Sequence, residues 1–318
     1  MSLEEAIDLM RLRLREDELG LSGPAVSGAS VVPVWRADTA AVLKFTPLLG
    51  STSRDRSMRE ARFYSELGPI VPIRVPEVLD LRVEPDWVGL VLKAYHPLQS
   101  VDRWPYRLLE DAFRGLGRLQ AMFWEDSREL ESWDWLGRWT WTADAEATQG
   151  AATAWRDVLE RPEVTNSVDK RQASHFLGRL FESVPLLLDR IEILPETLGH
   201  GDFHAGNLLR DDGGDVVWID WQEVRRARGP EDVAQFFTRS TADGAQFHDQ
   251  TLLDWYVEEV VEVHGRSIDD QALRIGAASA ELLTVTLSWP HYLGRAGPEK
   301  VQVLLSRART LSRNLDLS

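Results

Sequence analysis

The sequence of 318 residues contains no cysteine. This absence excludes a disulfide-bonded scaffold, thiolate catalysis and metal centres held by Cys ligands. Long apolar runs are missing too, since no stretch reaches the roughly 18 uninterrupted apolar residues of a membrane span. The first twenty residues, MSLEEAIDLMRLRLREDELG, are charged throughout and have no apolar core of signal-peptide type. We therefore expect a cytoplasmic protein without a membrane partner.

Positive charge is scarce relative to negative charge. Lys and Arg number 36 against 51 Asp and Glu, which gives a formal net charge of −15. Long-range repulsion then opposes encounters with nucleic acids and anionic lipids, so we expect no nucleic-acid partner. The acidic excess leans modestly towards an amine-bearing small substrate. The sequence carries no signal for the oligomeric state.

Two regions differ in their hydrophobic pattern. The runs Val31–Trp35, Ala40–Phe45 and Val88–Ala94 are typical of strands, and the stretch Arg56–Leu67 between them is typical of a helix. After about residue 105, apolar residues recur at helical spacing over 109–123, 170–190, 231–240, 246–264, 269–288 and 298–315. The pattern predicts an α+β fold of two lobes. The N-terminal lobe (1–95) has an antiparallel sheet with one helix, and the C-terminal lobe (96–318) is mainly helical.

One hairpin interrupts the helical region. The extended runs Leu208–Arg210 and Val216–Ile219 flank the turn-forming sequence DGGD. A Gly-Gly turn places Asn207 opposite Asp220, whereas an Asp-Gly turn shifts the register by two residues and keeps both side chains at the open end. The hairpin is therefore expected to bring an amide oxygen and a carboxylate together.

The segment HGDFHAGN comes immediately before this hairpin. Asp202 is followed five positions later by Asn207 and then by Asp220 at the end of the hairpin, which is the order of polar residues in a kinase catalytic centre. Oxygen ligands of this kind are those that Mg²⁺ prefers. The spacing predicts that Asp202 orients or deprotonates a substrate hydroxyl, and that Asn207 and Asp220 hold Mg²⁺.

A second charged pair is expected in the N-terminal lobe. Lys44 shares a strand face with Val42, and Glu60 falls on one helix face with the apolar residues Phe63, Tyr64 and Leu67. Because a lone buried carboxylate is costly, Glu60 needs a cationic partner, and Lys44 is the nearest candidate upstream. In kinases such a lysine holds the nucleotide phosphates.

The segment HGDFHAGN, the strand ending in IDWQ and the helix sequence REARFY together resemble the aminoglycoside phosphotransferase/choline kinase family, small-molecule kinases of the protein-kinase-like fold. The resemblance implies a bilobal kinase that uses ATP and Mg²⁺ to transfer the γ-phosphate to a hydroxyl of a small substrate, for example an amine-bearing, aminoglycoside- or sugar-like one. It also implies that Asp232 braces the catalytic loop.

The resemblance extends to two further nucleotide contacts. Ser27, Gly28 and Ser30 match the family's phosphate-covering loop through their Gly-x-Ser pattern. Lys93 and Tyr95 fall in the hinge, whose backbone groups bind adenine in the family. Many relatives have an acidic residue where Lys93 stands, and backbone recognition tolerates that difference.

Other interpretations of the same residues stay open. A non-catalytic nucleotide-binding module would keep the fold without turnover, and His-x-Asp-x-His at 200–204 could belong to a metal-dependent hydrolase. The location of the acceptor pocket also stays undecided at the level of the sequence. The aromatic cluster 133–141 and the group Trp289, His291 and Tyr292 are both candidate linings, although hydrophobic packing explains the first more simply.

Overall fold

The computed structural model describes residues 1–15, 23–24, 29–48, 51–125, 127–138, 140–141, 143–264 and 269–317. The chain divides into two compact units. Unit 1 comprises Met1–Leu98 and Gly206–Val224, and unit 2 comprises Gln99–Ala205 and Arg225–Ser318. The hairpin segment thus groups with unit 1, although its position in the sequence places it within the helical region. No helix of the described residues is both long and apolar enough to cross a bilayer.

Unit 1 is built around an antiparallel sheet. Its elements are α1 (Leu3–Leu9), β1 (Arg13–Leu14), β2 (Gly23–Pro24), β3 (Ser30–Arg36), β4 (Thr39–Pro47), α2 (Ser51–Arg62), β5 (Val78–Val83), β6 (Trp87–Lys93), β7 (His96–Pro97), β9 (Leu208–Arg210) and β10 (Val216–Trp218). The main sheet has the order β1-β3-β4-β6-β5, with β2 also paired to β3, and a smaller sheet has the order β10-β9-β7. The predicted strands and the helix Arg56–Leu67 are present. The structure adds β5, whose mixed pattern is not typical of a strand, the short strands β1, β2 and β7, and a second helix, α1.

The two faces of the main sheet carry different residues. Ala41, Leu43 and Phe45 alternate on one face and pack with α1 in a buried apolar cluster. Val42 and Lys44 therefore lie on the other face. The helix α2 contacts β4 and β6, and it continues as a π-helical turn, Phe63–Leu67. This arrangement places a lysine of the strand beside a helix that carries a buried glutamate.

The hairpin between β9 and β10 has a register that neither predicted turn provides. Val216 pairs with Arg210 and Trp218 pairs with Leu208. The backbone N–H of Asp211 donates to the carbonyl of Asp215 at 3.0 Å, which leaves a loop of three residues, 212–214. The loop ends in Gly214 at φ 89°, a left-handed conformation that glycine adopts without a steric penalty. The prediction that Asn207 lies opposite Asp220 is therefore wrong. The carbonyl of Asn207 accepts from Ile219 N–H at 3.0 Å, and Asp220 follows one residue later.

Unit 2 is mainly helical. Its elements are α3 (Tyr106–Met122), α4 (Ser127–Ser132), α5 (Ala145–Glu160), α6 (Pro162–Thr165), α7 (Lys170–Glu192), β8 (Glu196–Gly199), β11 (Arg225–Arg228), α8 (Pro230–Ala242), α9 (Asp249–His264), α10 (Asp270–Leu283), α11 (Pro290–Leu293) and α12 (Pro298–Asn314). Helix α3 packs on α9, and α10 packs on α7 and α8. The short strands β8 and β11 pair antiparallel, and β8 runs directly into the candidate catalytic loop.

Packing accounts for part of the aromatic cluster 133–141. The ring of Trp133 meets Phe123 edge to face, with centroids 6.0 Å apart. Trp141 packs against the core of unit 2, and its indole N–H donates to the buried carboxylate of Glu231 at 2.9 Å. Trp139 lies outside the described residues. The simpler interpretation, hydrophobic packing, thus holds for Trp133 and Trp141.

Candidate functional site

Three charged side chains meet in unit 1. The ammonium group of Lys44 lies 2.7 Å from a carboxylate oxygen of Glu60 and 2.7 Å from one of Asp220. The Glu60 side chain is only 4% exposed and the Lys44 side chain 15%. The predicted partnership of Lys44 and Glu60 is therefore present, and Asp220 joins it from the end of the hairpin.

The protonation of this cluster follows from burial and charge. Burial alone would lower the pKa of Lys44, but the negative charges of Glu60 and Asp220 outweigh it and raise the pKa above its ordinary value. Burial raises the pKa of Glu60, and the Lys44 ammonium opposes that rise. Lys44 is accordingly a permanent cation at physiological pH, held between two acidic groups from two different elements.

Contacts along α2 hold the segment that follows Asp220. The ring of Phe63 stacks on Trp221 with centroids 3.9 Å apart and an interplanar angle of 8°. The guanidinium of Arg59 donates to the carbonyl of Gln222 at 2.9 Å, and Arg56 forms an ion pair with Glu223 at 2.6 Å. One helix thus carries both the glutamate for Lys44 and the anchors for the turn Trp221–Glu223.

Asn207 and Asp220 lie at the same end of the hairpin. Asp220 adopts a left-handed conformation, φ 64° and ψ 61°, which turns the chain away from β10. Strained non-glycine residues of this kind cluster at functional sites. The Asn207 side chain is buried. An amide oxygen and a carboxylate beside a lysine form a donor set that fits a divalent cation together with nucleotide phosphates.

The candidate catalytic loop of unit 2 is held by Asp232 at the start of α8. One carboxylate oxygen accepts from the backbone N–H of His200 at 2.8 Å, and the other accepts from that of Gly201 at 2.9 Å. Gly201 has φ 81°, which favours glycine. His200 is fully buried, and its Nδ1 accepts from the backbone N–H of Asp202 at 3.2 Å. His200 thus helps to fix the loop that carries Asp202, and the geometry agrees with the brace implied for Asp232.

The Asp202 carboxylate is surrounded by hydrogen-bond donors and cations. Gln235 Nε2 donates to Oδ1 at 2.7 Å, Arg239 Nη2 lies 3.7 Å from the same oxygen, and His204 Nε2 lies 3.5 Å from Oδ2. Burial alone would raise the pKa of Asp202, but the hydrogen bond and charge of His204 and the charge of Arg239 lower it to about 2. Asp202 is therefore ionised at any physiological pH.

Sequence reasoning missed Gln235 and Arg239. Both lie on α8 three and seven residues after Asp232, so the three polar side chains share one face of an otherwise largely buried helix. That spacing is readable from the sequence. It has no evident meaning until the fold brings this face against Asp202.

The residues predicted to contact the nucleotide differ in where they lie. Ser27 and Gly28 lie outside the described residues. Ser30 is the first residue of β3 and pairs with Phe45, and Lys93 pairs with Ala41. Because strand residues alternate between faces, the side chains of Ser30 and Lys93 leave the sheet on the face opposite Lys44. Any contribution of Lys93 to the same ligand as Lys44 is thus through its backbone.

Lys93 and Tyr95 line a pocket of unit 1 with a volume of about 270 Å³. The Lys93 ammonium lies 5.9 Å from the centre of the Tyr95 ring, and the Tyr95 hydroxyl accepts from the backbone N–H of Glu77 at 3.3 Å. Arg74 and Asp211, joined by an ion pair, complete one wall.

The segment His-x-Asp-x-His does not form a metal cluster. His200 is committed to the backbone of its own loop, while His204 faces Asp202. In the parts of the chain that the structure describes, no group of three or more His, Asp and Glu side chains is arranged to hold a metal ion. The hydrolase alternative has no support in these residues.

Comparisons with known proteins identify the family and the fold. Residues 24–264 match the sequence profile of the phosphotransferase enzyme family. No curated protein sequence matches the chain significantly. Among solved structures, a microcompartment-associated aminopropanol kinase shares 16% identity at a TM-score of 0.60, over 99% of this chain and 98% of that one. A spectinomycin phosphotransferase, solved with ADP and spectinomycin, shares 15% identity at 0.58, over 100% and 92%.

The choline kinase of Streptococcus pneumoniae is a third such structure, with 12% identity and a TM-score of 0.55, over 98% of this chain and 97% of that one. Identities this low establish a common fold, and they confirm the predicted protein-kinase-like α+β architecture. The family match covers most of the chain and confirms the predicted resemblance. This protein belongs to the phosphotransferase enzyme family.

Proposed function

We propose that this protein is an ATP- and Mg²⁺-dependent small-molecule kinase that transfers the γ-phosphate to a hydroxyl of its substrate. The observation that carries the proposal is the position of Lys44 at 2.7 Å from both Glu60 and Asp220. A buried lysine between a helix glutamate and an aspartate that follows a strand is the constellation with which kinases hold nucleotide phosphates and metal. The known ADP-bound relative supports the choice of nucleotide.

Asn207 and Asp220 are the residues that would hold Mg²⁺. Their oxygen atoms suit a hard cation, and the hairpin presents both at one end. The bound ion would neutralise charge on the phosphates. Lys44 would add its fixed positive charge to the same phosphates, and Glu60 would keep the ammonium group in place. Ser27, Gly28, Ser30 and the hinge backbone are proposed to contact the rest of the nucleotide.

Asp202 is proposed to receive the acceptor hydroxyl. The hydroxyl oxygen forms a bond to the γ-phosphorus while the bond from that phosphorus to the β-phosphate oxygen breaks, and ADP leaves. With a pKa of about 2, Asp202 is a weak base, so its main task is to orient the hydroxyl by accepting its hydrogen bond. The proton then passes to the phosphate product or to solvent. Positioning and charge neutralisation supply most of the rate.

The test is Asp202→Ala, assayed for ADP release with a panel of hydroxylated metabolites and antibiotics and for ATP binding by calorimetry. We expect turnover to be lost while the affinity for ATP changes by less than about threefold, because Asp202 contacts the acceptor and not the nucleotide. Asp212→Asn is the matched control. It alters an exposed aspartate of the hairpin loop that pairs with His96 at 2.9 Å.

The outcomes separate the remaining functions. Undiminished turnover in the Asp202→Ala variant contradicts the proposed mechanism. ATP binding by the wild-type protein without phosphotransfer to any acceptor instead identifies a non-catalytic nucleotide-binding module. Tight zinc or manganese binding with hydrolysis and no nucleotide affinity favours the hydrolase.

A further inference from the structure

A cationic side chain lies beside the candidate acceptor position, although the whole protein is acidic. The chain carries a net charge of −15, yet Gln235, Arg239 and His204 lie beside Asp202. The nearby acidic residues at the start of α8 are occupied elsewhere. Asp232 accepts from backbone N–H groups, and the buried Glu231 accepts from the backbone of Arg228 at 2.7 Å.

Arg239 is suited to bind a ligand while it remains close to Asp202. Its side chain is 47% exposed, and one guanidinium nitrogen lies 3.7 Å from Asp202 Oδ1, a looser contact than the 2.7 Å hydrogen bond from Gln235. A guanidinium group has five N–H donors in a planar fork, which matches the two oxygens of a carboxylate or phosphate. A half-exposed arginine with so long a contact has donors to offer.

We infer that Arg239 is a specificity residue that selects acceptors with an anionic group, a carboxylate or a phosphate, close to the reacting hydroxyl. The inference rests on the proposed function, in which the hydroxyl sits on Asp202. A hydroxyl bound there and an anion bound to Arg239 are separated by at most roughly 9 Å, given ordinary hydrogen-bond lengths. Both groups therefore fit within one small molecule, and an ammonium group in place of the anion would be repelled by the guanidinium of Arg239.

The first test compares three open-chain polyols that differ only in the charge of one end: gluconate, sorbitol and glucamine. They are assayed alongside a wider panel of hydroxylated acids, sugars and amino alcohols. In the wild-type protein we expect the acceptors with the highest kcat/KM to be anionic. A best acceptor that is neutral or cationic overturns the inference while leaving the proposed kinase intact.

The second test uses Arg239→Gln and Arg239→Lys, with Lys300→Gln as the control. Lys300 is another exposed cation of unit 2, paired with Asp243 just after α8. Arg239→Gln should raise KM for the best anionic acceptor about tenfold to a hundredfold with kcat within about threefold. Arg239→Lys should restore part of the loss, because it keeps the charge but not the fork. The control should match the wild type.

The anionic group at Arg239 could instead be the phosphoryl group in transfer. In that case Arg239→Gln lowers kcat for anionic and neutral acceptors alike, with little change in KM, and the inference is wrong. If no acceptor is phosphorylated, the proposed function fails by itself. Binding of the three polyols, measured by calorimetry with ADP and Mg²⁺ present, then decides the inference: gluconate must bind more tightly than glucamine, and Arg239→Gln must remove the difference. Equal or absent binding overturns it.

Discussion

Replacing Lys44 by methionine should destabilise the protein more than replacing its buried partner Glu60 by glutamine. Methionine fills a similar volume but leaves Glu60 and Asp220 side by side with no cation, and Glu60 is 4% exposed. Removal of one member of a buried ion pair costs about 3–5 kcal/mol. Glu60→Gln leaves Lys44 paired with Asp220, so we expect a loss of about 1–2 kcal/mol.

Urea denaturation at pH 7 measures these differences as shifts in the midpoint at constant m-value. Two further results are expected. The double variant Lys44→Met/Glu60→Met should recover at least half of the loss, because paired apolar residues replace buried charges well. The deficit of Lys44→Met should also shrink towards pH 5, since a buried carboxyl with a raised pKa takes up a proton on folding. A Lys44→Met variant within about 1 kcal/mol of the wild type refutes the reasoning.

Two other predictions concern stability. Burial raises the pKa of Glu231 to about 8, so the folded protein binds more protons than the unfolded chain between its ordinary pKa and pH 8. Wild-type stability should therefore fall as pH rises through that window, by at most about 1.4 kcal/mol per pH unit, relative to Glu231→Gln. Parallel pH profiles of urea unfolding for the wild type and the Glu231→Gln variant would contradict this prediction. Gly214→Ala, at φ 89°, should cost about 1–2 kcal/mol by thermal unfolding, whereas Gly213→Ala should cost under about 0.5 kcal/mol. Equal losses would show that backbone conformation is not the cause.

The partnership of Lys44 with Glu60 could be predicted because it follows from two local periodicities and one energetic rule. A strand alternates every two residues, a helix repeats every 3.6, and a carboxylate on a buried stripe needs a partner. None of these depends on distant parts of the chain. The contact of Asp220 with this pair could not be predicted in the same way, because it depends on the hairpin lying beside α2. The sequence indicates that position only through its resemblance to a family.

The hairpin register could not be predicted, because DGGD is compatible with two-residue and three-residue loops. The choice depends on which glycine takes the left-handed conformation, and the structure assigns it to Gly214. The charge next to Asp202 was missed for a different reason. A net charge sums the whole surface, whereas the guanidinium of Arg239 acts over a few ångströms. The composition favours an amine-bearing acceptor and Arg239 favours an anionic one, and the acceptor panel decides between them.

The two-part composition of unit 1 has a consequence for how the protein is made. Its main sheet is encoded by the first 98 residues. Asp220, which completes the Lys44 cluster, lies 176 residues beyond Lys44 in the chain. At about 5–20 residues per second, the ribosome needs roughly 6–25 s to extend the chain from Leu98 to Asp220. During this interval the nascent sheet has Glu60 available but not Asp220, Trp221 or the small sheet of β9 and β10. The sheet of unit 1 is thus synthesised early, and it waits for about half of unit 2, Gln99–Ala205, to be synthesised before the unit can be completed.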